Sequence, residues 1–352
     1  MVDLEGYTIF PGLINAHDHL ELNHYPRSKF REVYDNAHQW GEDMNARLDS
    51  EPYKSLRAYP LKDRLFIGGL KNLLCGATTV AHHGPPHKVM FARDFPVRVL
   101  RQYGWAHSLH FNTEQEVVES YRKTPKNWPW FIHLAEGTDD VAASEYQRLK
   151  ALGCVGLNTV IVHGVGMTEA DIADAASRVR GLVWCPTTNL YLLSKQPNIH
   201  QWRHKSAHVA LGSDSILTAE GNLLDEIREG SRSPGCDSDC VSQAVSSRAA
   251  SVLGMQKVGH LKLAAYADWT TASSEYGRLR RSADDLIVKD GIPRIGDPDL
   301  MAKFPQVQTV AATLDGVPKT IHIDLARRIH QCTLKEPGLE VDALPTKRFW
   351  LI

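Results

Sequence analysis

His17-Asp18-His19 closes the run of apolar and small residues from Pro11 to Ala16, and side chains two apart on a strand point the same way. Two imidazoles so placed can share one cation at Zn–N distances of about 2.0 to 2.1 Å. The pair alone is a weak signal, because 17 histidines in 352 residues make about one His-x-His by chance, and one occurs. Its weight comes from three other places in the chain. His133 ends the run Trp130 to Ile132 with Glu136 three residues on, His163 ends Thr159 to Val162, and Asp214 follows Ala210 to Ser213. Each sits where a strand-like run gives way to a loop, and in a parallel barrel such ends gather on one face. The imidazoles and one carboxylate then make a donor set suited to Zn²⁺ or another divalent transition metal, with a position left for water. A cation there lowers the pKa of water from 15.7 to about 7, so hydrolysis is the chemistry to expect.

These side chains need a scaffold, and the sequence supplies one by alternating short β-branched runs with helical patterns. Strands are expected at Tyr7 to Ala16, Ala77 to His82, Trp105 to Phe111, Trp130 to Leu134, Thr159 to His163, Gly181 to Cys185 and Ala207 to Gly212. An eighth is expected within Pro96 to Leu100. Thr113 and Thr168 each precede a carboxylate by three residues, the capping-box spacing that starts a helix. The expected fold is therefore α/β, a (β/α)8 TIM barrel over residues 1–256, followed by a small, incomplete β-rich module over 257–352. In that module Leu286 to Val288, Val307 to Thr313 and Thr320 to Ile323 read as strands, the last two joined by an Asp315-Gly316 hairpin.

Lys+Arg 40 against Asp+Glu 41 gives a formal net charge of −1, which argues against nucleic acid as a partner. No run approaches the roughly 18 apolar residues of a membrane span, and Met1 to Glu5 carry acid rather than a basic leader, so a cytoplasmic protein with no membrane partner is expected. Six scattered cysteines are expected to be reduced thiols, Cys236 and Cys240 making a poor zinc pair.

Six motifs occur in order: Pro11 to His19, Gly76 to Val80, His133 to Glu136, Val162 to Gly164, Cys185 to Asn189 and Leu211 to Ser215. Together they resemble the amidohydrolase superfamily, specifically its cytosine deaminase, S-adenosylhomocysteine deaminase and triazine hydrolase branch. The resemblance implies one metal, zinc before iron, on His17, His19, His133 and Asp214. It implies Glu136 as proton shuttle, His163 as a contact to the attacking water or the substrate, and Asp214 also as proton acceptor. It further implies hydrolysis of a non-peptide carbon–nitrogen bond, deamination of a cyclic amidine or amino-heterocycle by a metal-bound hydroxide, with a small molecule as the partner. A dechlorinating or amide-hydrolysing member is the nearest alternative, and an inactive truncated relative serving as a binding or structural protein is the alternative of another class. Family members carry some tens of residues of β structure before the first motif, whereas ten residues precede Pro11 here. Half of the sandwich is therefore expected to be missing, and an uncovered sheet edge invites a homo-oligomer.

Simpler readings compete for several residues. Glu136 can be a helix-cap acid and His163 a core histidine. His82 and His83 can touch substrate but are more economically read as strand-end histidines, and His107 and His110 carry less weight still. His200, His204 and His208 are spaced as a helical face that reads as solvated, and Trp105, Trp130, Trp184 and Tyr191 read as core.

Overall fold

The computed structural model describes residues 2–4, 6–205, 207–272 and 280–344. Its first nine strands are β1 (Thr8–Pro11), β2 (Leu13–Asp18), β3 (Ala77–His82), β4 (Arg98–Val99), β5 (Gly104–Trp105), β6 (Trp130–Leu134), β7 (Thr159–His163), β8 (Gly181–Trp184) and β9 (Val209–Leu211). From β2 onward these eight run parallel in two sheets, β2-β3-β4 and β5-β6-β7-β8-β9. Backbone bonds from His19 N–H to Asp214 O (2.8 Å) and from Asp214 N–H to His17 O (3.0 Å) stitch β2 to the end of β9. Among the described residues β4 and β5 share no ladder.

Strands β2, β3 and β6 to β9 are buried on both faces, as parallel strands under helices must be. Alternate residues divide between two apolar clusters: Ile14, Ala16, Phe131, Val160, Val162 and Val183 in one, Trp130, Ile132, Ile161, Leu182 and Trp184 in the other. Helices start where the chain supplies caps. Thr113 forms a full capping box with Glu116, whereas the Thr168 hydroxyl accepts the Asp171 N–H but donates to the Asp171 carboxylate rather than receiving a return bond on its backbone.

Six further strands follow the parallel region: β10 (Trp269–Ala272), β11 (Asp284–Lys289), β12 (Ile292–Gly296), β13 (Thr309–Leu314), β14 (Val317–His322) and β15 (Leu339–Val341). With β1 they form an antiparallel sheet in the order β1-β10-β11-β12-β14-β13-β15. The expected run Tyr7 to Ala16 is thus two strands, and its first half pairs with Trp269–Ala272 in this sheet. Gly12 is the break: its N–H bonds Asp268 O, and a Cβ there would run into the Thr78 side chain. The segment before the first motif therefore contributes one edge strand to the sheet.

Other expectations shift as well. The strand expected at Trp105 to Phe111 stops at Trp105, because Asn112 Oδ1 accepts the His107 N–H and Ser108 Oγ accepts those of His110 and Phe111. Such local side-chain bonds offer the backbone an alternative to a ladder. Cys236 and Cys240, expected as thiols, are joined in a disulfide whose Cα atoms lie 5.3 Å apart, while Cys75, Cys154, Cys185 and Cys332 are free. His200 and His204 stack on the helix Ile199–His204, and His208 lies beyond its end. Among the described residues no helix is long and apolar enough to cross a membrane.

Candidate active site

The C-terminal ends of the parallel strands bring the sequence-selected residues together. His17 is the fifth residue of β2 and His19 follows its end, His133 lies on β6, His163 ends β7, and Asp214 stands three residues past β9. Gly212 lets β9 approach β2 closely, since a Cβ there would lie 2.6 Å from His17 Cβ. Ala135, His163 and Asp214 all take positive φ (53°, 71° and 57°), a conformation that costs non-glycine residues energy and gathers at working sites.

His17, His19, His133 and Asp214 each offer one ligand atom within 4.8 Å of all the others. His17 Nε2 lies 3.1 Å from His133 Nε2 and 3.6 Å from Asp214 Oδ1, and His19 Nε2 lies 3.5 Å from that same oxygen. Tetrahedral ligands at 2.0 to 2.1 Å from zinc stand roughly 3.3 Å apart, so this donor set fits one such ion. Burial pushes His17 down to about 3 and His133 well below the ordinary imidazole range, with neighbouring imidazoles adding to the effect. Burial opposes charge on Asp214, yet the neighbouring His17, His19 and His163 rings hold its carboxyl below the usual range. Bare imidazole nitrogens beside a carboxylate are what a divalent transition metal requires.

The surrounding groups fix the orientation of these side chains. Asp214 Oδ2 accepts the Thr218 hydroxyl at 2.9 Å. His83 Nε2 lies 3.0 Å from the Ala106 carbonyl and its Nδ1 lies 3.3 Å from His17 Nδ1, while its ring stacks on His133 at 4.2 Å. A carbonyl can only accept, so His83 Nε2 carries the proton and its bare Nδ1 accepts from His17 Nδ1–H. That leaves His17 Nε2 unprotonated toward the cluster. His163 Nδ1 likewise donates to Asn189 Oδ1 at 2.9 Å, which turns its Nε2 toward Glu136 Oε1 at 3.5 Å. Burial, with Asp214 and Glu145 nearby, raises the Glu136 carboxyl well above its ordinary range. A buried acid held protonated near neutrality suits general acid catalysis.

Glu145 was not visible as a site residue in the sequence. From the helix Asp140–Ala151 it accepts the Ala135 N–H at 2.6 Å, and its other oxygen faces His38 Nε2 at 3.3 Å. Asn189 lies in a motif already noted, but its bond to His163 appears only in three dimensions. His19, His133, Glu136, Glu145, His163 and Asp214 open on a cavity of about 500 Å³ that Trp105 and His107 also line, so Trp105 forms part of the site wall as well as packing against the core. Trp130 and Trp184 are fully buried, as expected.

The residues 126–276 match the model of the amidohydrolase family. This segment is an amidohydrolase family domain. The match begins after His17 and His19, which the parallel strands bring to it. A 5-methylthioadenosine/S-adenosylhomocysteine deaminase of Saccharophagus degradans is 28% identical over 158 residues, 40% of this chain and 35% of the relative. The alignment thus spans about a third of that curated relative. Among solved structures, a zinc-bound adenosine deaminase from Xanthomonas campestris superposes with a TM-score of 0.69 at 17% identity, covering 86% of this chain and 84% of the other. A zinc complex of atrazine chlorohydrolase from Arthrobacter aurescens TC1 gives 0.68 at 15%, covering 82% and 83%. At these identities the likeness is one of fold.

Proposed function

We propose that this protein is a mononuclear metal-dependent aminohydrolase that deaminates a cyclic amidine or amino-heterocycle, its eight parallel strands forming a (β/α)8 barrel over residues 1–256 with β1 crossing to the module of residues 257–352. The observation that carries the reading is the convergence of a three-histidine, one-aspartate donor set with the Glu136–His163 pair on one cavity. His17, His19, His133 and Asp214 would hold the ion, which when bound supplies Lewis acidity and brings the pKa of water from 15.7 to about 7.

The protein's own groups do the rest. Asp214, ionised and steadied by Thr218, takes a proton from the attacking water. Glu136, protonated in its buried setting, delivers a proton to the ring nitrogen or the departing amine. His163, with Nδ1 donating to Asn189, presents a bare Nε2 that accepts from the attacking water or from the Glu136 carboxyl it faces, orienting them for proton transfer. One water is consumed, the carbon–nitrogen bond breaks, the carbon keeps the oxygen as a carbonyl, and the nitrogen leaves as ammonia.

The test is a panel of amino-heterocycles incubated with zinc-loaded protein while ammonia, chloride and free alkylamine are measured. Ammonia release by at least one member supports the deaminase. Release of chloride or alkylamine without ammonia replaces it with the dechlorinating or amine-releasing alternative, and no release by any member removes it.

A further inference from the structure

One wall of the cavity carries Leu22, Trp40, Met44, Leu48 and Leu217, which belong to a single apolar cluster built on the helix Ala37–Asn45 and the turn after His19. That helix is fastened over the strand ends: the Ala37 N–H bonds Glu136 O at 2.8 Å, Thr138 N–H bonds Asp35 O at 2.7 Å, and Tyr34 N–H bonds Leu192 O at 2.9 Å. The apolar wall is thus a fixed part of the site. The charged groups lining the cavity tell the same story from the other side. Among the described residues no lysine or arginine lines it, while Glu21, Glu136, Glu145 and Asp214 do. His38, the histidine of the helix that lines the cavity, already has the Glu145 carboxylate 3.3 Å away.

We infer that the substrate is a neutral or cationic amino-heterocycle bearing an apolar arm that lies along Trp40, Met44 and Leu48, and that carboxylate- or phosphate-bearing analogues are rejected. This rests on the deaminase reading for the ring, and on the wall and the charge inventory for the arm. A volume of about 500 Å³ lies within the roughly 300 to 1,000 Å³ of sites that enclose ligands larger than a bare ring. An anionic arm laid along that wall would meet apolar side chains and no lysine or arginine to offset its lost hydration, because the ion would be held away from it by the His17, His19, His133 and Asp214 side chains at the strand ends. An alkyl arm gains about fourfold in affinity for each methylene buried against such a wall.

The experiment uses zinc-loaded protein and three ring types, aminopurine, aminopyrimidine and aminotriazine, each with arms from ethyl to hexyl and each with a matched arm ending in carboxylate. Binding is measured by titration calorimetry and turnover by ammonia release. For the ring that binds, affinity should rise severalfold per methylene, and the carboxylate arm should bind at least tenfold more weakly than its alkyl match. Leu48→Lys should narrow or reverse that preference, and the parent's ligand series decides the matter even if the variant does not fold. Equal or tighter binding of the carboxylate arm, no gain with arm length, or no binding by any ring overturns the inference. Alkyl ligands that bind in this pattern without releasing ammonia refute the deaminase reading and leave the inference standing. Ammonia release without discrimination does the opposite.

Discussion

Replacing His83 tests whether a residue that touches no ion sets the affinity for one. His83 is buried, holds the Ala106 carbonyl with Nε2 and leaves Nδ1 as the acceptor for His17 Nδ1–H. In His83→Leu the ring volume is largely kept beside His133, but His17 Nδ1 loses its acceptor at a position only 1% exposed. A buried donor left without a partner costs about 1 to 3 kcal/mol, and His17 escapes that cost by moving the proton to Nε2, the nitrogen the ion needs. Loss of such an outer partner weakens metal binding by about 10- to 100-fold. His83→Asn places an amide oxygen near the lost Nδ1 and should recover most of the affinity. The assay is competition for Zn²⁺ against a chromophoric chelator at fixed pH, with the melting temperature of each metal-free protein recorded beside it. Unchanged affinity in His83→Leu, or equal losses in the two variants, would refute the proton arrangement.

Three further outcomes are expected. Glu136→Gln should keep its metal while turnover falls by about 10² to 10⁴, and loss of metal would make Glu136 a ligand. Glu145→Ala removes the acceptor of the Ala135 N–H and should cost about 1 to 3 kcal/mol in denaturant unfolding, with Glu145→Gln recovering most of it; equal losses would mean the carboxylate's charge, not its acceptor oxygen, matters. Glu226, held by the Thr187 N–H at 2.9 Å and the Thr187 hydroxyl, is pushed by burial from 4.5 up to about 8. The folded state therefore keeps a proton that the unfolded chain has lost, so stability present below about pH 4.5 declines as pH rises toward 8. Glu226→Gln should show a shallower decline across that window, and a slope parallel to the parent's would contradict the shift.

The candidate site residues were legible because each obeys a local rule. His17 and His19 share a strand face by their spacing, and His133, His163 and Asp214 each follow a short strand-like run where a parallel sheet collects its loops. What the sequence hid depends on groups far apart in the chain. Glu145 matters because its helix carries it beneath Ala135 and beside His38, more than a hundred residues earlier. The proton arrangement of His17 needs His83 and the carbonyl of Ala106 in one line, which no periodicity reports. The break at Gly12 is decided by the approach of Thr78, so the run Tyr7 to Ala16 reads as one strand until β3 is in place. The short β5 reflects the reverse, local bonds from Ser108 and Asn112 overriding a strand-like composition.

The central claim is that four side chains, two at the end of β2, one on β6 and one in the loop after β9, make a single metal site that carries the chemistry. Elemental analysis of protein purified without chelator, read against turnover after metal removal and titration back, tests it most directly. One equivalent of zinc or iron per chain, with activity rising linearly to that equivalent and with both lost in Asp214→Ala, is the predicted result. Two equivalents needed for full activity, or full activity in metal-free protein, would contradict it.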